Sequence, residues 1–443
     1  MLNAVIQASE IVMTSALKAA TNLRRKGRDR MKLALKVAAT ALCVAAMALT
    51  LGAQVAQTGQ TNERARALGV PFEGTPGSYD AITDVPGVLV GYTTLIANNG
   101  EVDGPGGKQK VTGPVTTGVT AILPRGRDFH DPVYAGFFSQ NGNGEMTGIH
   151  WLQESGFLEG PVMITSTDIV GTVRDAVISW ELEHHGTQYP WALPVVAETW
   201  DGFHDGLHDY HLTTADTWHA IDTAASGTPA EGNVGGGTDM GCFGFKGGSG
   251  TASRVLTQAQ GGWVVGVFVQ CNTGSANELR IAGVPVGQLL HQQSPNAAIY
   301  GSNRVDMGSI IIVVATNAPL DSTQMDRLCK RATLGLGRVG GTSGDGSGDI
   351  FMSFSTANPG ASPQPRPYGD NSNTPPAPAT IQVLPNWSLG PIFDATIQAT
   401  EEAIINAMVG AKTITGNSGR LQQALPHDGL QRLMNGTFHP TAW

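Results

Sequence analysis

The chain has 443 residues, of which 41% are hydrophobic and 14% charged, a balance that excludes disorder as its default state. Its net charge is −9, and we find no basic stripe outside the N-terminal region, which argues against a nucleic-acid partner. A small or peptide-like ligand is therefore favoured. The 58 glycines follow no collagen-like period, so they predict many tight turns and close backbone approaches.

The N-terminal region has the order of a secretory signal. Seven basic residues lie between Arg24 and Lys36, and an uncharged, mostly apolar run follows from Val37 to Leu51. We expect residues 1–56 to be a signal sequence with an upstream extension, and the mature protein to be periplasmic or secreted. The apolar run is short for a membrane span, so we expect no stable insertion after signal removal, with an uncleaved anchor as the alternative.

The cysteines form no obvious framework. Cys43 belongs to the signal, which leaves Cys242, Cys271 and Cys329, an odd number without a CxxC pair. This pattern argues against a disulfide scaffold and against a structural zinc site. A single disulfide, formed in an oxidising compartment, stays open.

Short apolar runs rich in Val and Ile recur along the mature chain. They predict buried strands at 82–92, 118–126, 161–167, 191–200, 262–272 and 308–316. Strands mixed with helices indicate a layered α/β or α+β fold. We expect one domain, residues 57–443.

Two helices are well marked in the C-terminal third. They are predicted at 321–340 and at 394–416, the second ending at Gly416 or already at Gly410. The segment between them, 357–380, is too rich in Pro, Asn and Ser to pack. We expect it to be an exposed loop.

A Gly-Ser pair stands directly before the most apolar of the strands, in DMGSIIIVVAT (306–316). If the bond between Gly308 and Ser309 were cut, Ser309 would carry both a hydroxyl nucleophile and a free α-amine that can act as a base near neutral pH. Glycine at 308 can hold the strained backbone that such a cut requires. From local sequence alone, however, a plain loop before a strand is favoured.

A second hydroxyl lies close to a carboxylate in TSGDGSGDIFMSFST (342–356). Ser347 and Asp349 are two residues apart, so in an extended segment their side chains share one face and can approach one site. A hydroxyl that passes a proton, oriented by a carboxylate, follows the logic of a catalytic triad. The alternative is a glycine-rich turn whose side chains bond their own backbone.

Two other patterns could indicate a nucleotide-binding loop and a metal site. GNVGGGTDMGCFGFKGGSGTASR (232–254) lacks the Gly-Lys-Ser/Thr ending of a phosphate loop, so we expect its backbone N–H groups to line a substrate cleft instead. His204, His208 and His211 have helical spacing, but the Glu of a zincin motif is absent, so a histidine-rich surface loop is favoured. We predict no metal and no cofactor.

Taken in order, the motifs resemble the L-aminopeptidase/D-amidase/esterase family, also called β-aminopeptidases, whose members cleave their own chain to free an N-terminal serine. The resemblance runs from about residue 80 to 430 and is specific as an ordered set. The resembling stretches are ITDVPGVLVGY, NGNGEMTG, ETWDG, EGNVGGGT, FKGGSGTASR, VFVQCN, RIAGVPVG, GSIIIVVATNAPL, SGDGSGDIFMSFSTAN and LPHDGL.

The resemblance implies an α/β/β/α sandwich of the N-terminal-nucleophile type, with its own connectivity. It implies Ser309 as the nucleophile and cleavage after Gly308, giving an α chain (57–308) and a β chain (309–443). The family's supporting hydroxyl and acid fall on Ser347 and Asp349. The acid is more often Glu in the family, and Asp is one methylene shorter.

Three further positions acquire roles only through the resemblance. Asn272 matches an asparagine that stabilises the oxyanion, and Glu198 matches the acceptor of the substrate's free ammonium. Trp200 stands where the family has a tyrosine that lines the oxyanion site. An indole N–H is placed differently from a phenol, so efficiency or substrate choice is expected to differ.

The resulting hypothesis is an exported, autoprocessed serine aminopeptidase or amidase. Its expected substrates are short peptides, amides or esters with a free amino end, made of L-, D- or β-amino acids, and its expected assembly is a homotetramer of αβ units. One alternative is an acyltransferase of the ornithine acetyltransferase type, although that family uses a threonine nucleophile. A second alternative, suggested by Trp200, is an exported binding protein that has lost turnover.

Overall fold

The computed structural model describes residues 63–97, 100–111, 113–127, 131–185, 192–202, 211–293, 308–362, 375, 378–415 and 421–436. The predicted signal, residues 1–56, lies outside these ranges, as do His204 and His208. The part of the chain from Glu63 to Trp443 forms one unit.

Each predicted apolar run contains all or part of a strand, and further strands, some of them polar, lie between the runs. In chain order the described strands are β1 (Leu89–Ala97), β2 (Gly100–Gly104), β3 (Gly107–Val111), β4 (Val115–Arg127), β5 (Val133–Gly142), β6 (Phe157–Leu158), β7 (Val162–Ser166), β8 (Val195–Thr199), β9 (Gly241–Cys242), β10 (Phe245–Lys246), β11 (Gly248–Val255), β12 (Val264–Asn272), β13 (Ser309–Thr316), β14 (Gly348–Ser355), β15 (Ile414–Thr415) and β16 (Leu421–Gln422).

The helices lie between and after these strands. They are α1 (Ile149–Ser155), α2 (Val170–His185), α3 (Thr214–Asp222), α4 (Val286–Gln293), α5 (Ser322–Arg338), α6 (Gly390–Val409) and α7 (His427–Met434). Helix α5 begins where Asp321 accepts a hydrogen bond from the Gln324 N–H, a standard N-cap. Within the described ranges, none of the helices combines the length and the apolar character needed to cross a membrane.

Two sheets carry the architecture. The larger has the strand order β11-β12-β13-β14-β5-β6, and the smaller has the order β1-β4-β7-β8. Pairing is antiparallel except between β13 and β14 and between β7 and β8. All eight residues of β13 are buried, as expected for a central strand that is covered on both faces.

Three apolar layers separate the sheets and helices. Ile310, Ile312 and Val314 lie in the core that the large sheet shares with α5 and α6. Ile311 and Val313 point the other way, into the core between the two sheets. A third core fills the space between the small sheet and helices α2 and α3. The order helix, sheet, sheet, helix confirms the predicted α/β/β/α layering.

Two predicted boundaries need correction. Residues 82–92 are not one strand, because a 3-10 turn at Ile82–Asp84 and a turn through Pro86 and Gly87 delay the start of β1 to Leu89. Proline cannot donate a ladder hydrogen bond, and Gly87 has a positive φ of 93°.

Helix α6 ends at Val409, at the earlier of its two predicted ends, and begins at Gly390 because Pro391 is tolerated in a first helical turn. The later part of that prediction is wrong, since Ile414–Thr415 pairs with β16. The described residues of the 357–380 loop are exposed, as at 359–360 and 378–380, or half-buried.

A buried ion-pair network fastens the N-terminal part of the unit to α6. Glu402 accepts from Arg66 Nε at 2.6 Å and from Arg254 Nη2 at 2.8 Å, and both Glu402 and Arg254 are almost completely shielded from solvent. Arg254 also donates to the carbonyl oxygens of Glu73, Ser253 and Gln398. The guanidinium therefore has partners on every side.

Replacing Arg254 by methionine should lower the free energy of unfolding by about 3–5 kcal/mol, because a buried carboxylate loses a partner. Arg338→Met is the matched control, since Arg338 also pairs with two carboxylates, Glu73 and Glu401, but is 40% exposed. We expect the control to cost no more than about 1 kcal/mol. Chemical denaturation of both variants checks this, and equal losses would show that burial does not set the cost.

Candidate active site

Three strand ends meet at one edge of the large sheet. Asn272, the last residue of β12, is the register partner of Ser309, the first residue of β13. Ser309 is in turn the register partner of Gly348, the first residue of β14. Neighbouring strands lie about 5 Å apart, so these three positions form one row.

The serine at the start of β13 is tied to the strand beside it. The Gly348 N–H donates to Ser309 Oγ at 3.2 Å and to the Gly308 carbonyl oxygen at 3.1 Å. Ser309 is 7% exposed. One backbone donor therefore contacts both the hydroxyl and the carbonyl of the preceding peptide bond.

Glycine is required at position 308 for a reason that the sequence did not reveal. Its φ lies outside the left-handed region, so positive-φ strain is not its role. A Cβ placed there would instead lie 2.1 Å from the Asn272 carbonyl oxygen and 2.6 Å from Thr273 Cα. Only a residue without a side chain lets the chain pass this close to the end of β12.

Ser347 and Asp349 contact each other directly. Ser347 Oγ donates to Asp349 Oδ1 at 2.5 Å, and both residues are fully buried. Gly348 lies between them in the chain, so the pair flanks the residue that bonds Ser309. The shorter aspartate therefore reaches the serine hydroxyl, and the pair departs from the alternative of a turn that bonds only its own backbone.

The side-chain amide of Asn272 has a fixed orientation. Its Oδ1 accepts from the Gly241 N–H at 2.8 Å, and its Nδ2 donates to the Trp200 carbonyl oxygen at 2.9 Å. Reversing the amide would place a donor against a donor and an acceptor against an acceptor. The Trp200 carbonyl uses one of the two Nδ2 protons.

Glu198 lies on the small sheet but faces the same row. Its Oε1 accepts from the Glu145 N–H at 2.7 Å, and its Oε2 accepts from the Thr167 hydroxyl. A Cβ on Gly144 would lie 3.1 Å from Glu198 Oε1 and 3.4 Å from Gly348 Cα, so this carboxylate and the start of β14 are separated by little more than one residue's width. Burial raises the pKa of Glu198, and the two hydrogen bonds oppose that shift.

Trp200 meets the row mainly through its backbone. Its carbonyl binds Asn272, whereas its indole, 39% exposed as a residue, folds over Gly202. A Cβ on Gly202 would lie 2.3–2.7 Å from indole ring atoms. The tryptophan is thus at the site, but its ring position is set by the glycine two residues later.

The glycine-rich segment differs from the expectation of a cleft lined by backbone N–H groups. The Gly235 N–H donates to Thr94 Oγ1 and the Gly236 N–H to Thr120 Oγ1, so these groups bond the small sheet. A Cβ on Gly236 would lie 2.4 Å from the Ile164 carbonyl. These glycines allow close packing, and the Gly241 N–H that binds Asn272 is the one that reaches the row.

Two expectations about metals and cysteines can be compared with the structure. In the described part of the chain, no group of three or more His, Cys, Asp or Glu side chains is arranged to hold a metal ion. Cys242 and Cys271 form a disulfide, and Cys329 is a buried free thiol. The option of one disulfide, which the cysteine count left open, is the arrangement found.

A buried acid beside the row was missed from the sequence. Asp201 Oδ1 accepts from Ser166 Oγ at 2.6 Å, and Oδ2 accepts from Thr117 Oγ1 at 3.3 Å. Burial raises the pKa of Asp201 to about 7, and the nearby Asp239 adds to the shift. Its position next to Trp200 in the ETWDG stretch was the only signal available.

The comparisons with known proteins address the identity of this fold and site. The family model of peptidase family S58 matches residues 80–422. The chain belongs to peptidase family S58. β-Peptidyl aminopeptidase BapA of Sphingosinicella microcystinivorans is 48% identical over 381 residues, which cover 84% of this chain and 91% of that protein.

Solved structures agree with this assignment. A β-aminopeptidase of Burkholderia sp. superposes with a TM-score of 0.75 at 40% identity, covering 85% of this chain and all of that one. The L-aminopeptidase D-Ala-esterase/amidase of Ochrobactrum anthropi, described as a new variant among the Ntn hydrolase fold, has a TM-score of 0.70 at 40% identity, covering 84% and 99%. The predicted family and hydrolase class are confirmed. This S58 peptidase is a serine aminopeptidase.

The raised pKa of Asp201 has a direct consequence for stability. Its folded-state pKa of about 7 exceeds its ordinary value of 3.8, so the folded protein retains the proton longer than the unfolded chain. The stabilisation of the folded state by the protonated Asp201 carboxyl is fully present below pH 3.8 and is lost as the pH rises through 7.

We expect Asp201→Asn to remove this loss, because an amide keeps the geometry of the protonated acid without ionising. The variant should gain a few kcal/mol of unfolding free energy relative to the wild type between pH 4 and pH 8. Denaturant titrations at both pH values measure the gain. Asp103→Asn, at an exposed position, is the control, and parallel pH profiles for Asp201→Asn and wild type would contradict the assignment.

Proposed function

We propose that this S58 peptidase cleaves its own chain between Gly308 and Ser309 and then uses Ser309 as an N-terminal nucleophile. The observation that carries the proposal is the shared Gly348 N–H, which contacts both Ser309 Oγ and the Gly308 carbonyl oxygen. A hydroxyl and a carbonyl held by one donor at the end of a rigid strand are suited to an attack of the first on the second.

Self-cleavage would proceed by transfer of the acyl group from nitrogen to oxygen. Ser309 Oγ attacks the Gly308 carbonyl carbon, the C–N bond breaks, and the nitrogen takes the proton from the hydroxyl. Water then hydrolyses the ester and leaves a free amine on Ser309. The products are an α chain (57–308) and a β chain (309–443).

The same serine would then carry the aminopeptidase reaction. Its α-amine, with an ordinary pKa near 8, takes the hydroxyl proton directly or through Ser347. Asp349 accepts a hydrogen bond from Ser347 and so orients that hydroxyl. Asn272 supplies an amide N–H for the oxyanion, and water releases the acyl group.

Glu198 fits the role of acceptor for the substrate's ammonium group. Its carboxylate is buried, hydrogen-bonded on both oxygens and close to the start of β14. A buried carboxylate with a raised pKa is stabilised by an incoming cation, which rewards substrates with a free amino end. Trp200, in place of the family's tyrosine, contacts Asn272 at the other end of the row.

The substrate class follows from the relatives. One is named as a β-peptidyl aminopeptidase and another as an L-aminopeptidase with D-Ala-esterase and amidase activity. We propose that this protein releases N-terminal L-, D- or β-amino acids from short peptides, amides or esters, without a cofactor.

Export and assembly complete the proposal. The Cys242–Cys271 disulfide supports a periplasmic or secreted location, because such bonds persist in oxidising compartments. We also propose a homotetramer of αβ units, and Trp387, 87% exposed, offers apolar surface for such contacts. Sedimentation of the processed protein would measure the number of units.

Ser309→Ala should abolish both self-cleavage and hydrolysis, because it removes the nucleophile of both reactions. The intact mass of the purified variant should correspond to one continuous chain, whereas wild type should give two, the smaller beginning Ser-Ile-Ile-Ile. Ser388→Ala, at a half-buried serine whose hydroxyl bonds only the Pro385 carbonyl of its own turn, should behave like wild type. A continuous wild-type chain that hydrolyses aminoacyl amides at full rate would sink the proposal.

Glu198→Gln should raise KM by about 10- to 100-fold for substrates with a free amino group, because a charge-assisted hydrogen bond becomes a neutral one. Steady-state hydrolysis of alanine p-nitroanilide and of a β-alanyl dipeptide measures the change. Glu154→Gln, at an exposed position, is the control. An unchanged KM in the processed Glu198→Gln variant would assign the ammonium to another group.

A further inference from the structure

The short hairpin formed by β9 and β10 lies against the end of β12. We call residues 241–246 the 241–246 hairpin; Gly241 and Cys242 pair with Lys246 and Phe245. It is joined to the large sheet next to Asn272, the residue with the proposed oxyanion role. No step of the mechanism above uses it.

Three consecutive hairpin residues are fastened to three consecutive positions of the β12 end. The Gly241 N–H donates to Asn272 Oδ1 at 2.8 Å, and the Phe243 N–H donates to the Thr273 carbonyl oxygen at 2.7 Å. Cys242, which lies between these two hairpin residues, forms a disulfide with Cys271, the neighbour of Asn272. The covalent link is therefore adjacent, in both segments, to the hydrogen bond that fixes the amide of Asn272.

The hairpin backbone is held in a conformation that it would not choose freely. Phe243 has a φ of 48°, in the left-handed region that costs a non-glycine residue about 1–2 kcal/mol. Its ring is fully buried and packs so closely on Gly274 that a Cβ there would lie 2.4 Å from a ring carbon. A strained turn needs external restraint to keep one geometry.

A buried lysine closes the base of the same hairpin. Lys246 Nζ donates to the carbonyl oxygens of Met240 and Gly247, and the Gly247 N–H donates to the Met240 carbonyl at 2.9 Å. Lys246 is completely buried, and burial lowers its pKa to about 7. Because its amino group bonds two backbone carbonyls and is shielded from solvent, Lys246 restrains the loop.

From this geometry we infer that the Cys242–Cys271 disulfide is a positioning device for the oxyanion amide of Asn272. The inference rests on the proposed function of Asn272. Without the link, the strained hairpin can relax, the Gly241 N–H can leave Oδ1, and the amide can rotate. Since oxyanion stabilisation acts in the transition state, the loss falls on kcat and leaves KM nearly unchanged.

The first test is the paired variant Cys242→Ala/Cys271→Ala, purified in its processed form. We expect kcat for an aminoacyl p-nitroanilide to fall about tenfold, less than the 100- to 1,000-fold fall that complete loss of an oxyanion donor causes. KM should stay within about twofold. Cys329→Ala is the control, because Cys329 is buried but unlinked, and its kcat should not change.

A double-mutant cycle separates positioning from general stability. In an Asn272→Ala background, the cysteine pair should have no further effect on kcat, because the amide that it positions is gone. A tenfold fall that persists in that background would assign the effect to stability and overturn the inference. If Asn272→Ala itself leaves kcat unchanged, the proposed role of Asn272 fails instead.

Reduction of the wild-type enzyme gives an independent measurement if the cysteine variant fails to fold. Dithiothreitol converts the disulfide to two thiols and is itself oxidised to its cyclic disulfide, and alkylation followed by mass measurement counts the product. We expect kcat to fall in proportion to the reduced fraction and to recover on reoxidation. Full reduction with unchanged kcat would overturn the inference.

Discussion

The register of three adjacent strands is the constraint on which the site depends. β13 is hydrogen-bonded to β12 on one side and to β14 on the other, and its alternate residues fill two different cores. A slip of one residue would exchange those faces, so the register is strongly fixed. Ser309, Asn272 and Gly348 are therefore brought together by the packing of residues that take no part in chemistry.

The second constraint is the burial of ionisable groups. Glu198, Asp201 and Lys246 are all buried, and burial shifts the pKa of each in the direction that favours the neutral form. Such groups weaken the fold and are retained where a cleft needs charge and direction. The network of Arg66, Arg254 and Glu402 lies elsewhere in the unit and ties its first segment to α6.

Local patterns predicted the elements better than their contacts. The buried run of β13 identified a central strand, whereas local sequence favoured a plain loop at Ser309, and only the resemblance assigned this residue as the nucleophile. The two-residue spacing of Ser347 and Asp349 predicted that their side chains share one face, and the two side chains are in contact. The roles of Glu198 and Asn272 came only from resemblance, because their partners Glu145 and Gly241 are distant in sequence.

The remaining misses have a common physical cause. The pairing of Cys242 with Cys271, the need for glycine at 308 and the burial of Asp201 all depend on which elements pack together. Composition and periodicity report the faces of an element but not its neighbours. The end of a helix could be predicted where Gly or Pro marks it, as at Gly410. The start of β1 was predicted wrongly because a turn interrupts the apolar run.

If the chain is cut after Gly308 as proposed, the order of the large sheet has a consequence for the stability of the product. Strands β13 and β14 are followed on one side by β12 and on the other by β5, both of which precede position 308 in sequence. Two strands of one polypeptide would then lie between strands of the other, and neither polypeptide could dissociate without disrupting the sheet. After unfolding, the two chains would have to associate again, so refolding would become bimolecular. The processed enzyme would therefore depend on slow unfolding rather than on a reversible folding equilibrium.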